Sequence, residues 1–447
     1  MYNRRLDHCS RLPGRTFCFC LMLFLQNVQA ETAIPAPEYT KQIVALQQND
    51  QVQSALDHVL SLEPQSQQNL VELTEIPAPP FAEAARAKRF AELLRESGLD
   101  DVIIDEVGNV VGHRPGSGNG RVVAYSGHLD TVFPEGTDVT VRFEKGQTKN
   151  PRMFAPGIGD NTRGLVNVLA VLRALEHAKI KTEADLLFIG NVGEEGLGDL
   201  RGVRHLFREG APVIDALIAI DGGSSEHIVF GGVGSHRYRI TFSGSGGHSW
   251  GSFGLANPHH ALGRAIQRFV EQAPTVTNKG DKASYSIGRI GGGTSINSIP
   301  FESWMEVDMR SGNQRKLDAI DAVFKAALQG ALDAENEARL SGQEITLEIE
   351  SVGNRPAAKG NVHVPLVQRA IAATLAYGIE PQLRISSTDA NLPISLGIPA
   401  VTMSRGGKGS HSHSPGEWWQ NVDGHIAIQI GILTLLSEAG IRDQVDD

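Results

Sequence analysis

Cysteine is scarce in this chain of 447 residues, and its distribution excludes several kinds of site. The three cysteines are Cys9, Cys18 and Cys20, which all lie near the amino terminus. Beyond them the sequence can form no disulfide, no thiolate metal site and no cysteine nucleophile. Any metal bound by the rest of the chain must therefore use His, Asp and Glu as ligands.

The sequence also lacks a long apolar run near its start and an excess of positive charge. The run from Phe17 to Leu25 has nine residues, whereas a membrane-spanning helix needs about 20. The formal net charge is −10 at pH 7, which argues against nucleic acid or an anionic membrane surface as a partner.

The first 30 residues have the pattern of an export signal. Four arginines and one aspartate occur in this segment, and Val28-Gln29-Ala30 offers a small-residue cleavage site after the apolar run. Cleavage there would leave a mature chain that begins near Glu31 and carries a net charge of −13. We therefore expect a periplasmic or secreted protein, although a misplaced start codon is an alternative because the basic region is long.

Apolar strands and amphipathic helices alternate along most of the chain. The segments "RVVAYSG" (121–127), "ADLLFIGNV" (184–192), "DALIAI" (215–220) and "PAVTMS" (399–404) are typical of strands, and 164–178, 200–210 and 366–378 are typical of helices. This alternation predicts an α/β fold with helices covering a sheet.

Residues 231–355 have a different pattern. Their strands and helices follow the order β-α-β-β-α-β, which is that of the ferredoxin-like module. Because the α/β pattern returns after residue 355, we interpret this module as an insertion into one sheet domain.

Polar residues follow the predicted strands, where open α/β sheets place their sites. His128 and Asp130 end one strand, and residues two apart share a face, so the carboxylate can orient the imidazole. Asp160 precedes a helix, where it could equally be an N-cap. Asp221 ends a further strand, and His411 and His413 lie in a glycine-rich loop.

Glu194 and Glu195 form an acidic pair directly after an apolar strand. A solvated loop is one explanation. The other is a bound cation, because two carboxylates at one buried position repel each other unless a positive charge offsets them.

Six motifs together resemble the M20 family of zinc peptidases and deacylases in order and spacing. They are "SGHLDTV", "GDNTRG", "GEEG", "IDGG", "GSGGHS" and "HSPGEW", and the resemblance covers roughly residues 60–435. It implies a phosphorylase/hydrolase-like dizinc catalytic domain (31–230 and 356–447, after a signal peptide at 1–30) with an inserted lid and dimerisation domain (231–355). One departure is Asn161-Thr162-Arg163-Gly164, where many relatives carry Met-Lys-Gly.

The resemblance also implies a role for each site residue. His128 and Asp221 would bind one zinc ion, Glu195 and His413 the other, and Asp160 would bridge both, with Co²⁺ or Mn²⁺ as substitutes. Asp130 would orient His128, and Glu194 would be the general base. His413 is preferred to His411 because it precedes Glu417 by four residues, as the ligand does in relatives.

In the lid, three residues resemble substrate-binding positions of the family. His248 would help polarise the scissile carbonyl, and Asn297 and Arg310 would hold a substrate carboxylate. A capping or interface role for His248 and a surface salt bridge for Arg310 are the alternatives. The resemblance further implies a homodimer formed through the lid. Asp389 lies near the site in relatives but has no assigned role.

The sequence thus predicts an amide hydrolase, and export favours an exopeptidase acting on short peptides. The alternatives are an N-acyl-amino-acid deacylase or a carbamoyl amidohydrolase of the same family, and a non-catalytic zinc- or peptide-binding protein of the same fold. A serine hydrolase is disfavoured because the segment 293–297 lacks the final glycine of Gly-x-Ser-x-Gly. A dinucleotide site is disfavoured because "GSGGHS" ends in serine.

Overall fold

The computed structural model describes residues 34–118, 120–146 and 149–442. The predicted export signal and the three cysteines lie outside these ranges. Within them, no helix has the length and apolar character that a bilayer crossing requires.

The helices and strands of the described chain are as follows. The helices are α1 (Pro37–Gln48), α2 (Asp50–Ser61), α3 (Glu63–Thr74), α4 (Ala84–Glu96), α5 (Gly164–His177), α6 (Arg201–Leu206), α7 (Pro258–Gln272), α8 (Pro274–Thr277), α9 (Gln314–Ala338), α10 (Pro365–Leu375), α11 (Asn391–Ser395) and α12 (Gly424–Ala439). The strands are β1 (Asp101–Ile104), β2 (Val110–Arg114), β3 (Val122–His128), β4 (Arg142–Phe143), β5 (Met153–Phe154), β6 (Asp185–Asn191), β7 (Ala216–Ile220), β8 (His227–Gly232), β9 (Gly234–Ser243), β10 (Gly247–His248), β11 (Ala283–Gly292), β12 (Ser298–Ile299), β13 (Glu302–Ser311), β14 (Thr346–Arg355), β15 (Gln382–Ser386), β16 (Ala400–Met403), β17 (Lys408–Ser410) and β18 (Trp418–Gln420).

The main sheet has eight strands in the order β1-β2-β6-β3-β7-β16-β8-β15. Its four central strands, β6, β3, β7 and β16, run parallel to one another. Each is a short apolar run, as strands covered on both faces usually are. The carboxyl ends of these four strands consequently meet at one edge of the sheet.

Helices cover both faces of this sheet. Along β3, Val123 and Tyr125 belong to the large core, which includes the wholly buried stretch of α5 from Gly164 to Leu175. Ala124 points the opposite way and joins a smaller core with residues of α6 and α11. The predicted α/β fold is therefore confirmed.

The second sheet is antiparallel, with the order β11-β13-β9-β14. Helices α7 and α9 pack on one of its faces around a separate core that contains Phe242, Phe269 and Phe324. The chain order β9-α7-β11-β13-α9-β14 is the ferredoxin-like order that the sequence predicted. We call this module the lid.

The other face of the lid sheet is polar. Along β13, Met305, Val307 and Met309 are buried against the helices, and Asp308 and Arg310 alternate with them. Asp308 also pairs in register with Arg237 of β9, which places Arg237 on the same polar face. This face forms one wall of the candidate site described below.

The two connections between the lid and the main sheet domain touch each other. Gly232 and Ala358 exchange two backbone hydrogen bonds, of 2.8 and 3.0 Å. A Cβ atom on Gly234 would lie 2.3 Å from the Ala357 nitrogen, so this close approach requires glycine.

Some elements differ from the sequence interpretation. The predicted helix at 200–210 ends at Leu206. A four-stranded sheet, β17-β18-β5-β4, was not predicted, and its strands have only two or three residues each. Residues this few carry too little periodicity to be recognised from sequence.

Candidate metal and catalytic site

The predicted site residues converge at the carboxyl edge of the parallel strands. His128 ends β3, Glu194 and Glu195 follow β6, and Asp221 follows β7. His413 reaches the same edge from the loop between β17 and β18. Residues scattered over almost 300 positions are thus brought together by strand topology.

Asp160 lies between the two histidines. Its Oδ1 atom is 3.4 Å from His128 Nε2, and its Oδ2 atom is 3.4 Å from His413 Nε2. One carboxylate oxygen therefore faces each histidine, which is the arrangement of a bridging ligand. His413 Nε2 is also 2.9 Å from Glu195 Oε1, and Asp221 Oδ1 is 4.0 Å from His128 Nε2.

These distances suit the ligands of metal ions. His128, Asp160 and Glu195 each offer an atom within 4.8 Å of the other two. Two tetrahedral ligands with bonds of about 2.0–2.1 Å lie about 3.4 Å apart, which matches the distances between each histidine and Asp160.

The hydrogen bonding of His128 also fits a metal ligand. Its Nδ1 atom donates a hydrogen bond to the carbonyl oxygen of Asp130, at 3.0 Å. In the neutral imidazole Nε2 keeps a lone pair, and within the described chain this buried atom has no hydrogen-bond partner. A buried polar atom aimed at carboxylates and left unpaired is well placed to bind a cation.

The charges at the site point the same way. Burial, helped by the neighbouring Asp160 carboxylate, raises the pKa of Asp221 to about 6. Hydrogen bonds with Asp160 and Glu195 raise the pKa of His413 to about 10. The carboxylates therefore hold a proton on His413, where a bound metal ion would supply the positive charge instead.

The two candidate histidine ligands differ clearly. The His413 imidazole contacts Asp160 and Glu195, as the spacing to Glu417 predicted. The His411 imidazole has neither a hydrogen bond nor an ion pair among the described residues, and it is exposed. The geometry therefore favours His413.

Asp130 does more than the sequence suggested. Its carboxylate accepts hydrogen bonds from the backbone N–H groups of Glu194 and Glu195, at 3.0 and 2.7 Å. The Asp130 carbonyl oxygen binds His128 Nδ1, and the nearer oxygen of the Asp130 carboxylate lies 3.6 Å from the same nitrogen. Asp130 thus fixes the acidic pair with its side chain and the imidazole with its backbone.

Glu417 fixes the loop that carries Asp160. Its carboxylate accepts hydrogen bonds from the backbone N–H groups of Gly157, Gly159 and Asp160, at 2.8–2.9 Å. Burial raises the pKa of Glu417 to about 7. In the sequence, Glu417 only distinguished His413 from His411, and its contacts with the loop of Asp160 were not predicted.

Two buried arginines at the site were not predicted. Arg355, the last residue of β14, donates from Nη1 to Glu194 Oε1 at 2.8 Å and also binds the Glu194 carbonyl. Arg405 Nη1 lies 3.5 Å from Asp160 Oδ1 and has no hydrogen-bond partner in the described chain. Sequence spacing gives no signal for such contacts, because 161 positions separate Arg355 from Glu194.

Glu194 is nevertheless separate from the candidate ligands. Burial raises its pKa well above the usual range, and the Arg355 guanidinium opposes this shift. Asp389 is also buried nearby, where its carboxylate accepts a hydrogen bond from Asn191 at 2.8 Å. Asp389 does not contact the candidate ligands directly.

A cavity of about 470 Å³ opens beside the cluster, and we call it the catalytic cavity. Its walls include Asp160, Glu194, Asp221, His413, Arg310 and Arg355. Of the three predicted lid residues, Arg310 lines it, whereas His248 and Asn297 do not. His248 is exposed, and its Nδ1 atom accepts from the backbone N–H groups of Trp250 and Gly251 at 3.2 and 3.3 Å.

Solved structures share this fold. The crystal structure of aminopeptidase PepT from Bacillus cereus matches with a TM-score of 0.65 and 21% identity, over 84% of this chain and 98% of that one. The YXEP protein of Bacillus subtilis, described as a dinuclear metal binding peptidase from the M20 family, matches with a TM-score of 0.59 and 16% identity, over 85% of this chain and 99% of that one. At such identities the likeness is one of fold.

Sequence comparison adds a relative and a family. The chain is 27% identical over 351 residues to a Pyrococcus abyssi protein provisionally named LysW-lysine/LysW-ornithine hydrolase, which covers 75% of this chain and 83% of that protein. The sequence model of peptidase family M20/M25/M40 matches residues 124–438, which include every candidate metal ligand from His128 to His413. Because this match spans most of the chain, the protein is a hydrolase that belongs to peptidase family M20/M25/M40.

Proposed function

We propose that this hydrolase is zinc-dependent and cleaves amide bonds in small substrates, as an exopeptidase acting on short peptides. The observation that carries the proposal is Asp160, whose two oxygens face His128 and His413 beside the uncoordinated Glu194. In this arrangement His128 and Asp221 would hold one ion, Glu195 and His413 would hold the other, and Asp160 would be a ligand to both.

The chain's own residues account for the proton transfers. When bound, a pair of divalent ions polarises the scissile carbonyl and lowers the pKa of the attacking water. Glu194 takes a proton from that water as the new C–O bond forms, and it returns the proton to the leaving nitrogen as the C–N bond breaks. Asp130 holds the backbone of Glu194 during both transfers.

An exopeptidase must also recognise a chain end, and Arg310 supports that part of the proposal. It lines the catalytic cavity, and its hydrogen bond to Asp308 uses only Nε. The two terminal nitrogens can therefore bind a carboxylate in bidentate fashion. An N-acyl-amino-acid deacylase would bind its substrate carboxylate through the same Arg310 contact. The two functions therefore differ in the group on the acyl side of the scissile amide.

A substrate panel tests the proposal. The zinc-loaded protein would be assayed for amine release from dipeptides, tripeptides and the N-acetyl, N-succinyl and N-carbamoyl derivatives of the same amino acids. We expect the highest kcat/KM for a peptide. A clear preference for an N-acyl or N-carbamoyl derivative would replace the exopeptidase with a deacylase or an amidohydrolase, and no turnover of any substrate would contradict the site assignment.

We extend the proposal to assembly and location. His248 and Asn297 lie outside the catalytic cavity of their own chain, so a substrate-binding role for them calls for a second chain. We therefore propose a homodimer formed through the lid, in which His248 serves the partner's site. We also propose export, with a mature amino terminus near Glu31, which amino-terminal sequencing of the exported protein would test.

A further inference from the structure

A second cavity, which we call the outer cavity, adjoins the catalytic cavity. It has a volume of about 980 Å³ and shares Arg310 and Ile385 with its neighbour. It forms where β11 begins, where β13 ends and where the segment after β14 returns to the main sheet domain. Cavities of about 300–1,000 Å³ hold whole ligands, so this one is large enough for more than a single amino-acid side chain.

Four cations line the outer cavity, and three of them have no acidic partner among the described residues. Lys282, Arg315 and Lys359 line it together with Arg310. Among the described residues, none of the first three forms an ion pair within 4.0 Å. Of the described residues that line this cavity, Asp281 alone is acidic, and its carboxylate accepts a hydrogen bond from Asn313 at 2.6 Å.

The positive wall continues into the catalytic cavity. Arg237 and Arg384 line it. Arg237 pairs with Asp308 at 3.1 Å, whereas Arg384 donates to the neutral side-chain oxygen of Gln382 at 2.6 Å. The protein as a whole has a net charge of −10, so this cluster of positive charge differs from the average surface. A wall that carries mainly positive charge attracts anionic ligands, and it stands opposite the carboxylates of the Asp160 cluster.

We propose that the two cavities form one substrate cleft that is specific for acidic peptides. The scissile amide lies at the Asp160 cluster, Arg310 binds the first carboxylate beyond it, and further carboxylates on the leaving residues occupy the outer cavity beside Arg315 and Lys359. This inference rests on the proposed peptidase function and names its substrate class.

Matched peptides test the inference. Ala-Glu and Ala-Glu-Glu would be compared with Ala-Gln and Ala-Gln-Gln, which have nearly the same shape without the side-chain charges. We expect kcat/KM to be higher for the acidic peptides, by about tenfold for the tripeptide pair, and to lose this advantage as ionic strength rises.

A double variant, Arg315→Gln with Lys359→Gln, locates the effect. We expect it to remove most of the tripeptide advantage while kcat/KM for Ala-Gln stays within about twofold of the unchanged enzyme. The control is Lys88→Gln, which changes an exposed cation on α4, outside both cavities. It should leave the preference intact.

Two results would overturn the inference without touching the peptidase function. One is equal turnover of the glutamate and glutamine peptides by the unchanged enzyme. The other is a double variant that lowers kcat/KM for both peptides by the same factor. Failure to cleave any of these peptides would instead contradict the proposed function itself.

Discussion

The strand ends of the main sheet domain and the polar face of the lid are built in opposite ways. At the strand ends, His128, Asp130 and Glu195 are almost fully buried, and backbone groups bind the side chains of His128 and Asp130. On the lid face, the Arg310 side chain is 38% exposed and is held by one neighbour on its own strand. Groups that react need fixed positions, whereas groups that recognise charge can remain solvated.

The two regions also differ in the sign of their charge. The strand ends concentrate carboxylates that call for a cation, and the lid side of the cleft concentrates cations that call for an anion. A substrate with an amide next to a carboxylate can place the amide at the strand ends and the carboxylate beside the lid cations in only one orientation. Under the proposed function, this difference means that charge orients the substrate before any side-chain pocket acts.

Neutralising Glu194 gives the strongest test of the contrast between the reacting groups at the strand ends and the recognition groups of the lid. Glu194→Gln should lower kcat by about 10²–10⁴-fold, because the variant cannot accept a proton. Arg355 would keep an oxygen acceptor, so the fold should be retained. The metal content should also stay the same, since Glu194 is not a proposed ligand. Normal activity, or loss of metal from this variant, would contradict the assignment.

The next largest effect concerns the two histidines of the glycine-rich loop. His413→Ala should lose about one metal equivalent per chain after dialysis, because its imidazole faces Asp160 and Glu195. His411→Ala is the matched control and should lose none. Atomic absorption on both dialysed variants decides the matter, and the reverse result would move the ligand to His411.

A subunit-mixing experiment tests whether His248 of the lid acts in the active site of its own chain or in that of a partner chain. Glu194→Ala and His248→Ala chains should each be nearly inactive alone. After subunit exchange, half of the dimers would be mixed, and each mixed dimer would contain one intact site. Activity should return to roughly a quarter of that of the unchanged enzyme. If exchanged chains regain nothing, or if light scattering shows a monomer, the cross-subunit role of His248 is wrong.

The smallest effect on activity is expected from a buried charge of the lid. Burial would raise the pKa of Asp321, but the side chains of His236 and Lys325, which lie 3.6 and 2.8 Å from its carboxylate, outweigh this effect and lower the pKa to about 2. A lowered carboxyl pKa stabilises the fold above the unfolded value, near pH 4, and this stability is lost as the pH falls towards 2. Asp321→Asn should therefore cost about 2 kcal/mol near pH 7, with kcat unchanged.

Denaturant unfolding of both proteins from pH 7 down to pH 2 would check this prediction. The gap in the free energy of unfolding should shrink as the pH falls. A gap that stays constant with pH would mean that packing, and not charge, accounts for the loss. A lower kcat would mean that this lid charge is coupled to the reaction.

Much of the fold was predictable because its strands and helices repeat regularly. The apolar runs of β3, β6 and β7 and the β-α-β-β-α-β order of the lid are local patterns, and the structure confirms both. The sheet β17-β18-β5-β4 escaped prediction because it joins short segments far apart in sequence. Its formation depends on tertiary contacts and not on local preference.

The site was predictable where motifs that resemble the family's place polar residues near the edge of the sheet. His128, Glu195 and Asp221 lie at or follow strand ends, and Asp160 and His413 reach the same edge from loops. The roles of Arg355 and Glu417 depend instead on which backbone or carboxylate group lies opposite them after folding. No spacing rule carries that information, so these supporting contacts could be found only in the structure.

The hydrogen-bonded pair Gly232 and Ala358 makes the lid exchangeable. The two ends of the lid are joined by this pair in the main sheet domain. The entropic cost of closing the chain between them changes only slowly with the length of that chain, so a shorter or longer module can replace the lid. Ser235 and Arg355 face each other in register, and a short turn between them would preserve the contact of Arg355 with Glu194. We expect such a lidless protein to form the eight-stranded sheet and to bind metal. Modules of other shapes could then be grafted at this junction. Such a graft would change the substrate specificity of the enzyme while the catalytic residues of the main sheet domain stay in place.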